Sequence, residues 1–269
     1  MTSTDIEPSE LTKWDPSLTE RVMGIIRPFL RRYFRSEVRG LENVPAGGAL
    51  VVCNHSGGIL PMDVPILSAE FYDEYGYDRP VYTLSHDMLM TGPTGDFFRR
   101  IGYISANHAN ADEALRSGGL VVVFPGGDYD VYRPTLTANK IDFGGRTGYI
   151  KAALNAGVPI VPAVGIGGQE TQIFLSRGTW LAKQLGPIAR LARAKIVPIS
   201  FGFPFGLSVV IPPNVPLPSK IVMQVLAPID IVAQFGEDPD IDEVDAHVRH
   251  VMQRALDELA SQRRLPVLG

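Results

Sequence analysis

Two side chains able to share a proton lie eight positions apart in this chain, His55 and Asp63, separated by a glycine-containing loop. The apolar residues 50–53 are typical of a buried strand, and the apolar residues after Asp63 indicate a helix. A carboxylate beside an imidazole fixes the ring tautomer and stabilises the imidazolium that forms. The pattern predicts that His55 is a general base assisted by Asp63. The alternative is that Asp63 only caps the helix ahead of Val64 and Pro65.

Other nucleophilic arrangements fit the sequence less well. A lipid esterase would need a serine in a G-x-S-x-G turn, which the chain lacks, and Ser56 follows His55 too closely to pair with it. Cys53 shares a strand face with His55, so a Cys–His nucleophile is an alternative. A small cysteine in an apolar run is more often an ordinary core residue.

Short apolar runs alternate with segments of helical periodicity along the chain. The runs predict strands at 49–53, 81–84, 103–105, 120–124, 160–165 and 221–225. The periodic segments predict helices at 64–72, 95–100, 109–117, 147–155 and 241–263. This alternation predicts an α/β fold with a mixed, largely parallel sheet flanked by helices.

The two ends of the predicted domain differ from this pattern. Residues 1–16 are expected to form a mobile arm. Residues 17–39 predict an amphipathic helical segment that carries six Arg and two Glu and is kinked or divided at Pro28. This segment either packs on the domain as an ordinary surface helix or faces anionic lipid headgroups. Residues 40–269 are predicted to form the α/β domain.

Residues 173–219 interrupt the alternation with a basic and then a proline-rich apolar stretch. Five basic residues and no acids lie between Arg177 and Lys195, interleaved with apolar side chains. This insertion predicts a lipid-facing role, in an acyl channel or on a membrane. A subdomain or a dimer contact is the alternative, and the latter would make the protein a homo-oligomer.

Composition excludes several classes of protein. The net charge of −4 and the lack of a basic–aromatic stripe argue against nucleic-acid binding. A single cysteine excludes a disulfide framework and a cysteine zinc site, and we expect no metal or cofactor. The start of the chain lacks the pattern of a signal peptide, and residues 196–219, although uncharged, contain six prolines. We therefore expect a cytoplasmic protein attached peripherally to the inner face of the membrane.

Four motifs, in order and with similar spacing, resemble those of the PlsC-like glycerolipid acyltransferase superfamily. They are Asn54, His55 and Asp63; Gly102, Tyr103 and Ile104; Phe124, Pro125, Gly126 and Gly127; and Val158, Pro159, Ile160 and Pro162. The resemblance covers residues 33–170. It implies a fatty-acyl transfer from acyl-CoA or acyl-carrier protein to a lipid hydroxyl, with His55 and Asp63 as the catalytic residues.

The residues expected to bind substrate are Asn54, Ser56, Gly57, Gly58, Phe124, Pro125, Gly126, Gly127 and Arg146. The glycine pairs let a ligand approach backbone N–H groups that would stabilise an oxyanion. Arg146 precedes a helix start, where a cation is favourable only beside an acid or an anionic ligand.

The chain departs from the family pattern in three places. Seven residues separate His55 from Asp63 where the family usually has four. The second motif lacks its usual phosphate-binding arginine, and Gly126 replaces the usual glutamate of the third motif. These departures favour a neutral glycerolipid or a long-chain alcohol as acceptor, although Arg146 or Arg133 could still contact a phosphate. A 1-acylglycerol-3-phosphate acyltransferase and a non-catalytic lipid-binding protein remain as alternatives.

Overall fold

The structure, a computed structural model, describes residues 9–185, 196–209 and 214–269. Its strands are β1 Glu37–Arg39, β2 Ala49–Cys53, β3 Val81–Ser85, β4 Tyr103–Ser105, β5 Leu120–Val123, β6 Ile160–Ile166, β7 Ile173–Ser176, β8 Ile199–Gly202, β9 Gly206–Ser208 and β10 Val222–Val225. Its helices are α1 Pro16–Tyr33, α2 Asp63–Tyr75, α3 Asp87–Met90, α4 Pro93–Arg100, α5 His108–Arg116, α6 Gly127–Val131, α7 Gly148–Ala156, α8 Thr179–Gln184, α9 Ile231–Phe235 and α10 Ile241–Gln262.

Seven strands form the main sheet in the order β1-β10-β6-β2-β5-β3-β4. Neighbouring strands run parallel except for β10, which is antiparallel to β6. The central strands β2, β5 and β6 are apolar along their length because helices cover both faces of the sheet. The predicted α/β fold with a mixed, largely parallel sheet is therefore confirmed.

The side chains of β2 alternate between two apolar layers. Leu50 and Val52 pack with α5, α7 and α10, whereas Val51 and Cys53 pack with α1 and α2. Because β2 runs parallel to both β5 and β6, the loops that follow these three strands leave the sheet at the same edge. This edge collects the chemically interesting residues.

The described part of the N-terminal arm packs on the domain, which corrects the expectation of a mobile arm for residues 9–16. Leu11 is buried, and Glu10 accepts hydrogen bonds from the Ser105 backbone N–H (2.8 Å) and from Arg99 (2.9 Å). These contacts join residues distant in sequence, so local composition did not reveal them. The rest of the arm, residues 1–8, lies outside the described residues.

Helix α1 is continuous through Pro28 rather than divided there. Part of its basic face packs on the domain, as the first of the two alternatives predicts, because α2 supplies acids to it. Arg27 pairs with Asp73 at 2.6 Å, and Arg31 pairs with both Glu70 and Asp73. These two arginines therefore hold α1 against α2 and are not free to face lipid headgroups.

The insertion contains a second, antiparallel sheet of three strands in the order β7-β8-β9. Of the predicted basic helix, α8 is described, whereas residues 186–195 and 210–213 lie outside the described residues. No helix in the described ranges has the length and apolar character needed to cross a membrane.

Replacing Leu30 with Ala should destabilise the protein by about 2–5 kcal/mol, because Leu30 is 3% exposed between α1 and the sheet. Ile25→Ala on the same helix is the control. Its side chain is 76% exposed, so we expect a change within about 0.5 kcal/mol. Urea unfolding measures both values, and equal small changes would mean that α1 does not dock as described.

Candidate active site

The loop between β2 and α2 brings His55 and Asp63 into direct contact. The His55 Nδ1 lies 2.9 Å from the Asp63 Oδ2, which also accepts the Ser56 backbone N–H at 2.9 Å. The Asp63 Oδ1 accepts the N–H of Val64, the next residue in α2. Asp63 therefore begins a helix and holds His55 at the same time.

The extra residues between His55 and Asp63 form a tight glycine turn. Gly57 and Gly58 have φ angles of 96° and 76°, a left-handed conformation that favours glycine. Space is also restricted at Gly58, because a Cβ there would lie 2.2 Å from the amide nitrogen of Gln172. The seven-residue spacing thus closes into a loop without separating the pair.

The contact with Asp63 leaves one nitrogen of His55 available for chemistry. Because a carboxylate oxygen accepts hydrogen bonds, the contact favours the tautomer with a proton on Nδ1, which places the lone pair of the neutral ring on Nε2. The His55 side chain is 16% exposed, whereas that of Asp63 is 2% exposed. This arrangement can take a proton from a ligand at Nε2 while the carboxylate stays away from water.

An aromatic ring from the neighbouring strand covers the histidine. Phe124, the residue after β5, lies with its ring centroid 4.1 Å from that of His55 at a tilt of 30°. This packing restricts rotation of the imidazole and supports its orientation toward Asp63. Phe124, predicted from sequence to bind substrate, is thus next to the candidate base.

Cys53 does not have the properties of a nucleophile. Its side chain is buried, and desolvation together with the nearby Asp63 charge raises the pKa of the thiol well above its usual range. The thiol stays protonated and is enclosed in the core between α1, α2 and the sheet. The Cys–His alternative therefore lacks a structural basis.

Asn54 connects the end of β2 to β6. Its amide nitrogen donates to the Gly165 carbonyl at 2.9 Å, and its side-chain oxygen accepts the Gly165 N–H at 2.8 Å. Asn54 is buried, so these contacts fix the strand end that carries His55. Ser56 is also buried and packs closely on Gly168, where a Cβ would lie 2.0 Å from the Ser56 Oγ.

Asp130 is a site residue to which the sequence analysis assigned no role. Its Oδ2 accepts the backbone N–H of His55 at 2.7 Å, and its carboxylate forms a buried ion pair with Arg133. Asp130 lies four residues after Gly126, and this position shortly after the glycine turn could have marked it in the sequence as a site residue. Arg133 is 2% exposed, so the expectation that it could contact a substrate phosphate is wrong.

Gln169 is a second unpredicted residue, and it joins three segments around the site. Its side-chain oxygen accepts the Gly57 N–H at 3.3 Å, and its amide nitrogen donates to the carbonyls of Val131 and Arg133. The sequence carried no signal for this residue, because its partners lie 36–112 positions away.

Arg146 holds the Phe-Pro-Gly-Gly turn in place. Its Nη1 donates to the carbonyls of Pro125 (3.2 Å) and Gly126 (2.6 Å), and its Nη2 pairs with Asp128 at 2.6 Å. The sequence analysis expected an acid or an anionic ligand beside this cation, and Asp128 is that acid. Gly126 itself is tightly enclosed, since a Cβ there would lie 2.4 Å from the Cβ of Asp130.

The four glycines predicted near an oxyanion differ in whether their backbone N–H already has an acceptor. The N–H of Gly57 donates to Gln169, and that of Gly127 donates to the Phe124 carbonyl. For the N–H groups of Gly58 and Gly126, the described residues supply no acceptor. In the same ranges no three His, Cys, Asp or Glu side chains are arranged to hold a metal ion.

The sequence is similar to those of known proteins. The Acyltransferase family model matches residues 35–165. An uncharacterized protein from Mycobacterium tuberculosis is 35% identical over 252 residues, covering 90% of this chain and 67% of that protein. A mouse protein named DGAT1/2-independent enzyme synthesizing storage lipids is 29% identical over 194 residues, covering 71% of this chain and 56% of its own length.

A solved structure shows the same fold. The crystal structure of the 1-acyl-sn-glycerophosphate (LPA) acyltransferase PlsC from Thermotoga maritima matches with a TM-score of 0.54 and 20% identity, over 90% of this chain and 81% of that chain. The chain spans about two thirds of the Mycobacterium leprae and Mycobacterium tuberculosis relatives, at 65% and 67% of their lengths. The family predicted from the four motifs is confirmed: the chain belongs to the acyltransferase family.

Proposed function

We propose that this protein transfers a fatty acyl group from a thioester to the hydroxyl of a lipid, with His55 as general base. The observation that carries the proposal is the 2.9 Å contact between His55 Nδ1 and Asp63 Oδ2, which leaves Nε2 to accept a proton. The acceptor hydroxyl gives its proton to Nε2 as its oxygen attacks the thioester carbonyl carbon. Asp63 stabilises the imidazolium that results.

The remaining steps need an oxyanion site and a proton for the leaving group. Attack produces a tetrahedral oxyanion, for which the N–H groups of Gly58 and Gly126 are the proposed donors. When the oxyanion collapses, the carbon–sulfur bond breaks and the imidazolium returns its proton to the departing thiolate. The products are an ester and a free thiol, and no residue of the protein becomes acylated. The donor is acyl-CoA or acyl-carrier protein, and no cofactor takes part.

The proposed acceptor is a neutral glycerolipid or a long-chain alcohol. Arg133 is buried in its pair with Asp130, and Arg146 already has Asp128 as a partner, which supports an acceptor without a phosphate. The name of the mouse relative, which refers to storage lipids, supports the same class of acceptor. The name of the Thermotoga protein instead favours 1-acylglycerol-3-phosphate, which remains the second candidate.

The second-motif segment also argues against a phosphorylated acceptor. Where the family resemblance implies an arginine, Ser105 donates from its N–H and its Oγ to Glu10. Burial alone raises the pKa of Glu10, but hydrogen bonds from Ser105 and Arg99 lower it overall, so this carboxylate is charged. Arg99 pairs with this carboxylate at 2.9 Å, so a serine held by an ion pair of the protein stands where the resemblance implies a phosphate-binding arginine.

Purified protein incubated with acyl-CoA and a panel of acceptors tests the substrate class. The panel contains glycerol-3-phosphate, lysophosphatidate, monoacylglycerol, diacylglycerol and long-chain alcohols. We expect kcat/KM for at least one neutral acceptor to exceed that for both phosphates by about tenfold or more, the effect of losing one charged contact. Preference for lysophosphatidate would select the second candidate, and no thioester consumption with any acceptor would indicate a non-catalytic lipid-binding protein.

Replacing His55 with Ala should lower kcat by about 10²–10⁴-fold, because it removes the general base. Circular dichroism and urea unfolding check that the variant folds. His250→Ala is the matched control, since His250 lies exposed on α10. Near-normal turnover by a folded His55→Ala protein would exclude the proposed mechanism.

Replacing Asp130 with Asn should destabilise the protein by about 3–5 kcal/mol, because Arg133 would keep a buried charge without its partner. Asp128→Asn on the same helix is the control. Its ion pair with Arg146 is exposed, so we expect a loss of about 0–1 kcal/mol. Urea unfolding compares the two variants, and equal losses would show that the buried pair has no special importance.

A further inference from the structure

One face of the small sheet is apolar and faces solvent. Ile173 in β7, Phe201 in β8 and Leu207 in β9 are paired across the three strands and are all exposed. The alternate residues Phe174 and Ser200 are buried on the opposite side. We call the exposed side, together with Phe203 beside it, the outer face. Exposed and buried residues thus alternate along these strands, as in a sheet that has one side packed on the protein and the other side in solvent.

The chain around two of the three strands of the outer face, β8 and β9, contains no charge. Residues 196–219 include no Lys, Arg, Asp or Glu. Phe203 and Leu207 are each 65% exposed, which is a large exposure for side chains of this size. Water-soluble surfaces usually carry apolar residues singly among charges, so a contiguous uncharged patch indicates a surface that another phase or partner covers.

The outer face continues onto helix α1. Val215 donates its N–H to the Phe203 carbonyl at 2.8 Å, and the Tyr33 hydroxyl donates to the Pro216 carbonyl at 3.0 Å. The ring of Tyr33 in turn stacks on that of Phe29, with centroids 5.1 Å apart. Phe29 is exposed, so the apolar surface extends from the small sheet to α1.

Cations border this extension on α1. Ile25 and Phe29 are exposed one turn apart, and Arg21 and Arg32 lie one turn before and after them. Arg27 and Arg31 pair with acids of α2, whereas Arg21 and Arg32 form no ion pair with the described residues. Apolar side chains with unpaired arginines at their border match the hydrocarbon and the anionic headgroups of a bilayer.

The small sheet also contacts the loop of the candidate active site. The Phe174 ring on its inner side lies 3.1 Å from where a Cβ on Gly58 would be. Ile59 and Leu60 follow Gly58 directly and are both exposed. The uncharged surface thus adjoins the loop that links His55 to Asp63.

We infer that the outer face and the exposed side of α1 insert into the hydrocarbon boundary of a lipid bilayer. Burial of apolar side chains drives this attachment, and Arg21 and Arg32 strengthen it on anionic lipid. The inference deepens the proposed function and rests on it in one respect, because it brings the candidate active site to the surface where a lipid acceptor resides. Binding itself does not depend on catalysis.

A dye placed at a single position tests the insertion in the full-length protein. Cys53 is the only natural cysteine and is buried, so Leu207→Cys can be labelled selectively with nitrobenzoxadiazole. We expect the dye emission to shift to shorter wavelength when phosphatidylcholine vesicles are added, and to do so at high salt. The matched control is Val232→Cys on α9. Val232 is exposed, and the pairing of Ile229 with Ile160 places the start of α9 by the beginning of β6, at the opposite end of the strands from the candidate site, so we expect no shift.

Vesicle flotation tests the energetic contribution of the outer face. The double variant Phe203→Glu with Leu207→Glu should bind phosphatidylcholine vesicles about 100-fold more weakly, since each buried apolar side chain contributes about tenfold or more. Val232→Glu should bind as the unmodified protein does. Vesicles that also contain phosphatidylglycerol should bind more tightly, and high salt should remove only this increment.

Three results would overturn the inference. The first is an unshifted emission at position 207, and the second is normal flotation of the double variant. The third is a short-wavelength emission from the dye at position 207 without vesicles, together with a dimer in sedimentation velocity that the double variant does not form. That result would assign the outer face to a second copy of the chain. Flotation of His55→Ala should equal that of the unmodified protein, so failure of the proposed chemistry is distinguishable from failure of the inference.

Discussion

Burial of the Asp63 carboxylate constrains the rest of the candidate site. A carboxylate removed from water is destabilising by several kcal/mol unless donors surround its oxygens. Here the imidazole of His55 and the backbone N–H groups of Ser56 and Val64 fill that role. The same three contacts close the loop, begin helix α2 and select the tautomer of the ring. A single buried charge therefore links the fold of the loop to its chemistry.

A second buried acid holds the other side of the histidine. Asp130 accepts the His55 backbone N–H and is neutralised by Arg133, while Asp63 binds the side chain. The backbone and the ring are thus each fixed by a carboxylate from a different loop. Because both loops follow neighbouring parallel strands, β2 and β5, the sheet brings them to the same edge. Preorganisation of this kind is what a general base requires.

The distribution of charge separates the chemistry from the surface around it. Arg133 and Arg146 near the glycine turn, and Arg27 on the inner side of α1, pair with acids of the protein itself. The small sheet next to the loop presents uncharged apolar side chains instead. A neutral lipid acceptor and a bilayer surface are both consistent with this uncharged sheet beside the loop of the candidate site.

The sequence by itself predicted six strands of the main sheet and named His55 and Asp63 as the candidate acid–base pair, but it did not predict β1 or the small sheet β7–β9. Buried parallel strands need continuous apolar runs, so the apolar run at 49–53 predicted β2 with its observed bounds. Only the tertiary structure decided which polar groups meet. The contacts of Asp130 and Gln169 at the site join residues 36–112 positions apart in the sequence. The packing of residues 9–16 and the ion pairs of α1 likewise join separate elements, and no local pattern encodes such contacts. The glycine loop is an example. From the sequence alone, it was undecided whether seven intervening residues allow His55 to contact Asp63. In the structure they do, because the buried carboxylate of Asp63 needs hydrogen-bond donors and finds them in the His55 ring and the Ser56 N–H.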